Sequence, residues 1–169
     1  MELKKVKKMY QFRPAEMNDL KQITRLEQQS FIPEVADTEE AIKERIEKIS
    51  DTFIVAEKAG EIAGYINGPV IKTPYITDDL FKKVPDTRTG HYLSILGLVV
   101  SKDYQGQGLA GRLIDEFTKL AQEHDVRAIT LTCTENLVSF YEGYGFKSHG
   151  LSESQHGGEQ WFNMVREIS

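Results

Sequence analysis

The sequence predicts a single α/β domain with helices packed on a mixed sheet. Three observations carry that expectation. A hairpin signal at Ala59-Gly60 joins two apolar-rich runs, which makes the early sheet antiparallel. Residues 92–100 are nearly all apolar, as expected of a central strand covered on both faces. That run leads through a glycine-rich turn into an amphipathic helix and then a further strand around Ile129, the order of a crossover. At 169 residues, one domain over 1–169 with a sizeable core is expected.

The elements follow in order. Residues 10–13 suit a first strand. Pro14 opens a helix with Met17, Leu20 and Ile23 on one stripe. Asp37 and Glu40 have capping-box spacing for a second helix, where Ile42, Ile46 and Ile49 fall at i, i+4 and i+7. Residues 52–57 and 62–71 read as the hairpin strands. Residues 72–90, with Pro74 and Pro85, form a long loop with a short helical turn near Leu80-Phe81. Gly97 interrupts the central strand and marks a bulge or a close backbone approach. In the next helix Leu109, Leu113, Phe117, Leu120 and Ala121 face inward. A strand around Ile129, a short helix through Phe140-Tyr141 and two strands over 146–151 and 161–165 complete the chain.

Composition excludes several classes. The net charge of −5 argues against a general nucleic-acid footprint and suits a cationic partner. Residues 1–8 hold four lysines but also a glutamate and no apolar stretch. They read as a frayed basic terminus, neither a signal peptide nor a membrane span; the single cysteine of the chain points to a cytoplasmic setting. Cys133 is the one cysteine, so neither an internal disulfide nor a thiolate metal cluster is expected. It lies in an alternating strand and reads as a buried, inert thiol. His91, His124, His149 and His156 lack metal-ligand spacing, so no metal is expected.

The chemistry concentrates after Leu98-Val99-Val100. Backbone N–H groups at the helix start favour a phosphate. Gly106, Gly108 and Gly111 meet the bare G-x-G-x-x-G expression, but 101–104 make the turn longer than the dinucleotide one. No Lys-Ser or Lys-Thr pair follows, so the Walker pattern fails. The pattern Gln/Arg-x-x-Gly-x-Gly/Ala is met by Gln105, Gly108 and Ala110. Downstream stands Phe140-Tyr141-x-x-x-Gly145-Phe146.

These two motifs, one helix and one strand apart, make the chain similar to the GNAT acetyltransferases. Over residues 13–168 it most resembles their arylalkylamine N-acetyltransferase branch, through Phe12-Arg13, the helix closing on Ser30-Phe31-Ile32 and the spacing of 135–141. The resemblance implies the GNAT-like acyl-CoA N-acyltransferase fold, a central mixed sheet flanked by helices. It implies acetyl-CoA as cofactor and direct transfer of acetyl to a small primary amine in a ternary complex. Gln105, Gly106, Gln107, Gly108, Leu109, Ala110 and Gly111 would bind the pyrophosphate. Leu98, Val99 and Val100 would hold the pantetheine arm through their backbone, and Asn136 joins the cofactor-binding set. Tyr141 matches the family's tyrosine that protonates the departing thiolate; Tyr144 is expected to pack. The branch's histidine pair falls here on Ser94 and Leu96, a departure that leaves Ser94 to order a water and His91 as a candidate base. Phe31 and Pro33 stand where the family's substrate loop begins, without its Cys-Pro-Leu tripeptide, so strong indole selectivity is not expected. Glu34 is an exposed loop acid that could meet an amine. Two alternatives remain open: a protein or peptide N-acetyltransferase, and a non-catalytic acetyl-CoA-binding module.

Overall fold

In the computed structural model, residues 10–85, 89–154 and 156–168 are described. The basic segment 1–8 lies outside them. The strands are β1 (Gln11–Pro14), β2 (Phe53–Lys58), β3 (Glu61–Asn67), β4 (Val70–Ile71), β5 (Tyr92–Ile95), β6 (Gly97–Val100), β7 (Ala128–Cys133), β8 (Lys147–Leu151) and β9 (Phe162–Glu167). The helices are α1 (Leu20–Ser30), α2 (Glu39–Ile49), α3 (Leu109–Glu123) and α4 (Glu135–Glu142). Strands order as β1-β2-β3-β6 in one sheet and β4-β5-β7-β9-β8 in the other. Among the described residues only the β5–β7 pair is parallel, so the mixed character there is confined to the crossover through α3.

The β2–β3 hairpin turns on Ala59 (φ 51°) and Gly60 (φ 83°), the two positive values that a type I′ turn requires. α2 corrects one expectation. Its cap is Thr38, whose Oγ1 accepts from the Ala41 N–H at 3.1 Å. Asp37, one residue earlier, is instead drawn inward to Arg45. Ile42, Ile46 and Ile49 are buried as their spacing requires. α1 begins later than Pro14: a short 3-10 turn over Met17–Asp19 precedes it, and Met17 is exposed while Ile23 is buried.

Two apolar layers hold the sheets. Leu109, Leu113 and Phe117 of α3 pack with Ile66, Leu93 and Ile129. On the other face Ile23 and Leu26 of α1 and Ile42 and Ile46 of α2 pack with Phe53, Val55 and Tyr65.

Residues 62–71 and 92–100, each expected as one strand, are each divided between the two sheets. The first breaks at Gly68-Pro69, the second at Leu96. The breaks lie face to face: Leu96 N–H donates to Asn67 O at 2.8 Å and Ser94 N–H to Pro69 O at 3.0 Å. A Cβ on Gly68 would lie 1.8 Å from the Ser94 carbonyl oxygen, so only glycine lets the chains pass. An apolar run cannot report this, because both halves are buried and both read as strand.

Gly68→Ala should therefore cost about 3 kcal/mol, the scale of forced overpacking. Gly60→Ala, at positive φ but in open space, should cost about 1 kcal/mol. Urea unfolding of both variants checks this. Equal losses at the two positions would contradict the crossing.

Candidate active site

The crossing opens a cleft. The parallel ladder between β5 and β7 ends at Ile95↔Leu131. Beyond it, β6 pairs on one edge with β3, while Thr132 and Cys133 of β7 pair only with β9. Gly97 and Leu98 form one wall of the resulting wedge and Leu131, Thr132 and Cys133 the other, around a cavity of about 120 Å³. A strand edge without a neighbour presents backbone donors and acceptors to an extended ligand.

The same strand runs on into the glycine-rich turn. Gly108 caps α3 with φ 77°, and Gly106 has φ 79°. A Cβ on either would meet nothing within 4 Å, so backbone conformation demands these glycines and the space above them is free. The first N–H groups of α3 have no partner within the helix. Gly111 is different: a Cβ there would lie 2.4 Å from the Tyr144 hydroxyl. The third glycine thus serves packing between α3 and the segment after α4. Gln105 closes the turn by donating from Nε2 to Val100 O at 3.2 Å, and Gln107 Oε1 accepts from the Tyr10 hydroxyl at 2.6 Å.

Tyr141 reaches the cleft from α4. It is 8% exposed, and its ring meets Phe140 and Phe146 edge-on. Its hydroxyl makes no hydrogen bond among the described residues. Burial raises its pKa above the ordinary phenol value, and Cys133 adds to the rise. Cys133 beside it is buried, and burial pushes its thiol up to about 11.

The far end of the cleft is acidic below and aromatic above. Glu27 is 4% exposed; its Oε1 accepts from the Tyr65 hydroxyl at 2.5 Å and its Oε2 from the Asp37 N–H at 3.0 Å. Burial raises the Glu27 pKa, and the Asp37 charge raises it further. Arg45, 1% exposed, binds the Asp37 carboxylate at 2.8 Å, Asn67 Oδ1 at 3.2 Å and Phe81 O at 2.9 Å. Above, the His156 ring stacks on Phe81 with centroids 5.1 Å apart. His156 Nε2–H donates to Val35 O at 3.0 Å, and Trp161 Nε1–H to His156 O at 2.7 Å.

Comparisons with known proteins agree with this geometry. Residues 19–168 match the family described as the acetyltransferase (GNAT) domain. The chain belongs to the GNAT acetyltransferase family. Over 64 residues it is 38% identical to glucosamine 6-phosphate N-acetyltransferase of Candida albicans; the match spans 38% of this chain and 41% of that relative. In fold it resembles the loading GNATL domain of CurA from Lyngbya majuscula, with TM-score 0.82 and 19% identity over 94% of this chain and 98% of that one. It also resembles a GNAT-like decarboxylase, GphF, solved with isobutyryl-CoA, with TM-score 0.80 and 15% identity over 94% and 100% of the two chains.

Within this GNAT fold the expected residues divide. Leu98, the glycine turn, Tyr141 and Phe31 converge on the cleft or its continuation. Val99 points into the α1–α2 layer, where its side chain is core, so only its backbone faces the ligand edge. Asn136 is exposed on the first turn of α4, accepts from the Thr134 hydroxyl and lines an adjacent groove with 158–160. Tyr144 packs, as expected. Pro33 and Glu34 are exposed and outside the cleft lining.

Two expectations are corrected. His91 is exposed at the start of β5, six residues before Gly97. That is roughly 20 Å along a strand, too far for a base. Ser94 is fully buried and its hydroxyl donates to Pro69 O at 2.7 Å, so it braces the crossing and holds no water in the cleft.

Glu27, Asp37, Tyr65, Phe81, His156 and Trp161 were missed. One signal was available for two charges of this network. Glu27 follows Ile23 at i+4, and Arg45 follows Ile42 at i+3, so both ionic side chains fall on buried stripes. The aromatic cover comes from two loops whose meeting no periodicity encodes. Among the described residues no group of three or more His, Cys, Asp or Glu could hold a metal, and no helix is long and apolar enough to cross a membrane.

With its thiol pKa at about 11, Cys133 should label roughly two hundred-fold more slowly than an open cysteine at pH 8. Burial adds to that factor. Stopped labelling followed by mass analysis checks it; rapid labelling of the folded protein would contradict the assigned environment.

Proposed function

We propose that the protein is an acetyl-CoA-dependent N-acetyltransferase acting on a small primary amine, with an arylalkylamine or a polyamine as the acceptor type. The observation that carries this reading is the continuity of one path. A free strand edge at Gly97–Val100 joins an open helix N-terminus at Gly108 to a closed acidic pocket beside Glu27 and Asp37.

The residues fit the cofactor. The glycine turn offers unpaired N–H groups for a pyrophosphate, and the β6 edge suits an amide-bearing arm laid down like an added strand. Acetyl-CoA supplies the activated acyl thioester. The buried thiol of Cys133 is held protonated, which favours direct transfer over a cysteine-bound acyl enzyme. Tyr141 stays protonated at neutral pH and has a free hydroxyl facing the cleft. Its raised pKa makes full proton transfer to a thiolate, with ordinary pKa about 8.5, uphill. Its contribution is therefore a hydrogen bond to the sulfur as charge develops there.

The acceptor class follows from the pocket's charge. Glu27 and Asp37 line it, and no lysine or arginine does among the described residues. This favours an ammonium and disfavours a phosphorylated sugar such as the substrate named for the Candida relative. Phe31, Phe81 and Trp161 offer apolar walls for an aryl or alkyl body. A second reading, a peptide N-terminus, is favoured by one observation. A larger groove of about 580 Å³, lined by 73–78 and 151–154, adjoins the cleft across the Ser154–Asp78 hydrogen bond.

Thermal melts should rise with acetyl-CoA and with CoA, by about 2.7 kcal/mol of stabilisation at a hundred times Kd. NADH should leave them unchanged. Gly108→Val places a β-branched residue at φ 77° and should abolish the shift in a folded protein. Tyr141→Phe should keep the shift, since the ring still packs, and lower kcat by roughly 10²-fold. Phenethylamine, tryptamine, spermidine, glucosamine 6-phosphate and a peptide with a free N-terminus should be compared side by side. The first three should turn over best. Turnover of the peptide alone would favour the second reading, and turnover of the sugar phosphate alone would overturn the small-amine one.

A further inference from the structure

Among the described residues, Glu27 is a deeply buried carboxylate that makes no ion pair of its own. It is buried to the extent of a core residue, yet the two hydrogen bonds its carboxylate accepts come from neutral groups, the Tyr65 hydroxyl and the Asp37 N–H. Arg45, whose charge also reaches Glu27, makes its ion pair with Asp37 at 2.8 Å. A buried carboxylate satisfied only by neutral donors is costly unless a cation or a proton joins it. Glu27 lines the cleft, so that cation can arrive from the cleft.

Its position suits the chemistry. Tyr65 connects it to the strand break: a Cβ on Gly97 would sit 3.8 Å from the Tyr65 ring. Glu27 thus stands on the acceptor side, with Gly97 and Leu98 between it and the turn that suits the cofactor. The groups facing it are Asp37 and Arg45 from the α1–α2 segment and α2, and Tyr65 from β3. Across the cleft stand Cys133 of β7, Tyr141 of α4 and His156 of the β8–β9 loop. Asp37 is the weaker candidate, since Arg45 already neutralises it.

Resting on the transferase reading above, we propose that Glu27 receives the acceptor's ammonium group and removes its first proton, with Tyr65 positioning the carboxylate. In this step R–NH3⁺ and the Glu27 carboxylate become R–NH2 and the Glu27 carboxylic acid. The freed lone pair forms the N–C bond, the C–S bond breaks, and the electron pair leaves on sulfur. The second nitrogen proton balances the one that sulfur acquires. The net products are the amide, the thiol and one proton, released from Glu27 to solvent. Burial and the Asp37 charge favour the protonated carboxylic acid, so Glu27 is a stronger base than a surface glutamate. The hydrogen bonds from the Asp37 N–H and from Tyr65, and the Arg45 charge, work the other way and favour the carboxylate.

The test uses two variants and two independent readouts. Phenethylamine binding to the CoA-bound protein is measured by calorimetry, and kcat/KM is followed against pH. Glu27→Gln should weaken amine binding by tenfold or more. It should also remove the acid limb of the profile, with kcat lower by roughly 10²-fold and the acetyl-CoA melting shift intact. Tyr65→Phe keeps the carboxylate and loses the hydrogen bond that favours its charged form, so the acid limb should move to higher pH. A merely structural Glu27 would not produce that movement. A folded Glu27→Gln protein with wild-type amine affinity and pH profile overturns the proposal, as does an unmoved limb in Tyr65→Phe or a wild-type protein that binds no amine. Loss of the acetyl-CoA shift in the wild type would sink the transferase reading instead, and phenethylamine titration of the CoA-free wild type against Glu27→Gln would still decide whether Glu27 receives an ammonium group.

Discussion

The structure depends on one steric constraint, the crossing of two strands where Gly68 passes the Ser94 carbonyl. Each strand leaves one sheet and enters the other there, and the hydrogen bonds from Leu96 to Asn67 and from Ser94 to Pro69 lock the exchange. A continuous sheet would pair β6 and β7 along their whole length and leave no cleft. The crossing forces the two apart, so backbone groups that a sheet would consume remain available on the Gly97–Val100 edge. The site is in this sense a deliberate failure of sheet pairing, supported on both faces by apolar layers that cannot easily shift.

A second network closes the acceptor end of that cleft. Arg45 is buried, and its three partners come from the α1–α2 segment, from β3 and from the 3-10 turn that carries Phe81. It therefore ties the pocket floor to one part of its cover. Removing any partner would leave charge or polar surface buried without compensation, a cost of several kcal/mol. The other part of the cover is looser in kind: His156 stacks on Phe81 and tilts against Trp161, and two hydrogen bonds to carbonyls, from His156 to Val35 and from Trp161 to His156, hold the pair.

The legible parts of the chain were those governed by local rules. The Ala59-Gly60 turn, the isoleucine stripe of α2, the α3 face and the positive-φ glycines each express one residue's conformational preference or one helix's periodicity. The glycine turn was visible because the N–H groups of a turn are contiguous in sequence. The pocket beside Glu27 was not, because Glu27, Tyr65, Phe81 and Trp161 come from four segments that meet only through tertiary packing. Ser94 entered as a match to the branch's histidine pair and His91 as the histidine just upstream of the strand, and neither route reports that the chain changes sheet at Leu96, with both residues before the break. The arrangement of 62–71 was misread for the same reason, since burial on both faces erases the alternation that would show a change of sheet.

Glu27 shows how the rigid frame and the chemistry are coupled. A carboxylic acid whose pKa is raised by folding binds more protons in the folded state than in the unfolded chain. Its contribution to stability is then present below its unfolded value and is lost as pH rises through the raised folded one. Charging Glu27 therefore works against the fold, and a cation delivered to it works with the fold. In the role proposed for Glu27 an acceptor's ammonium group would be such a cation, and its binding would relieve the cost of an ionised Glu27. Passage of the proton to Glu27 would then neutralise both groups at once and leave an uncharged amine in the cleft. In that proposal, what destabilises the ionised site is what would favour the proton's arrival.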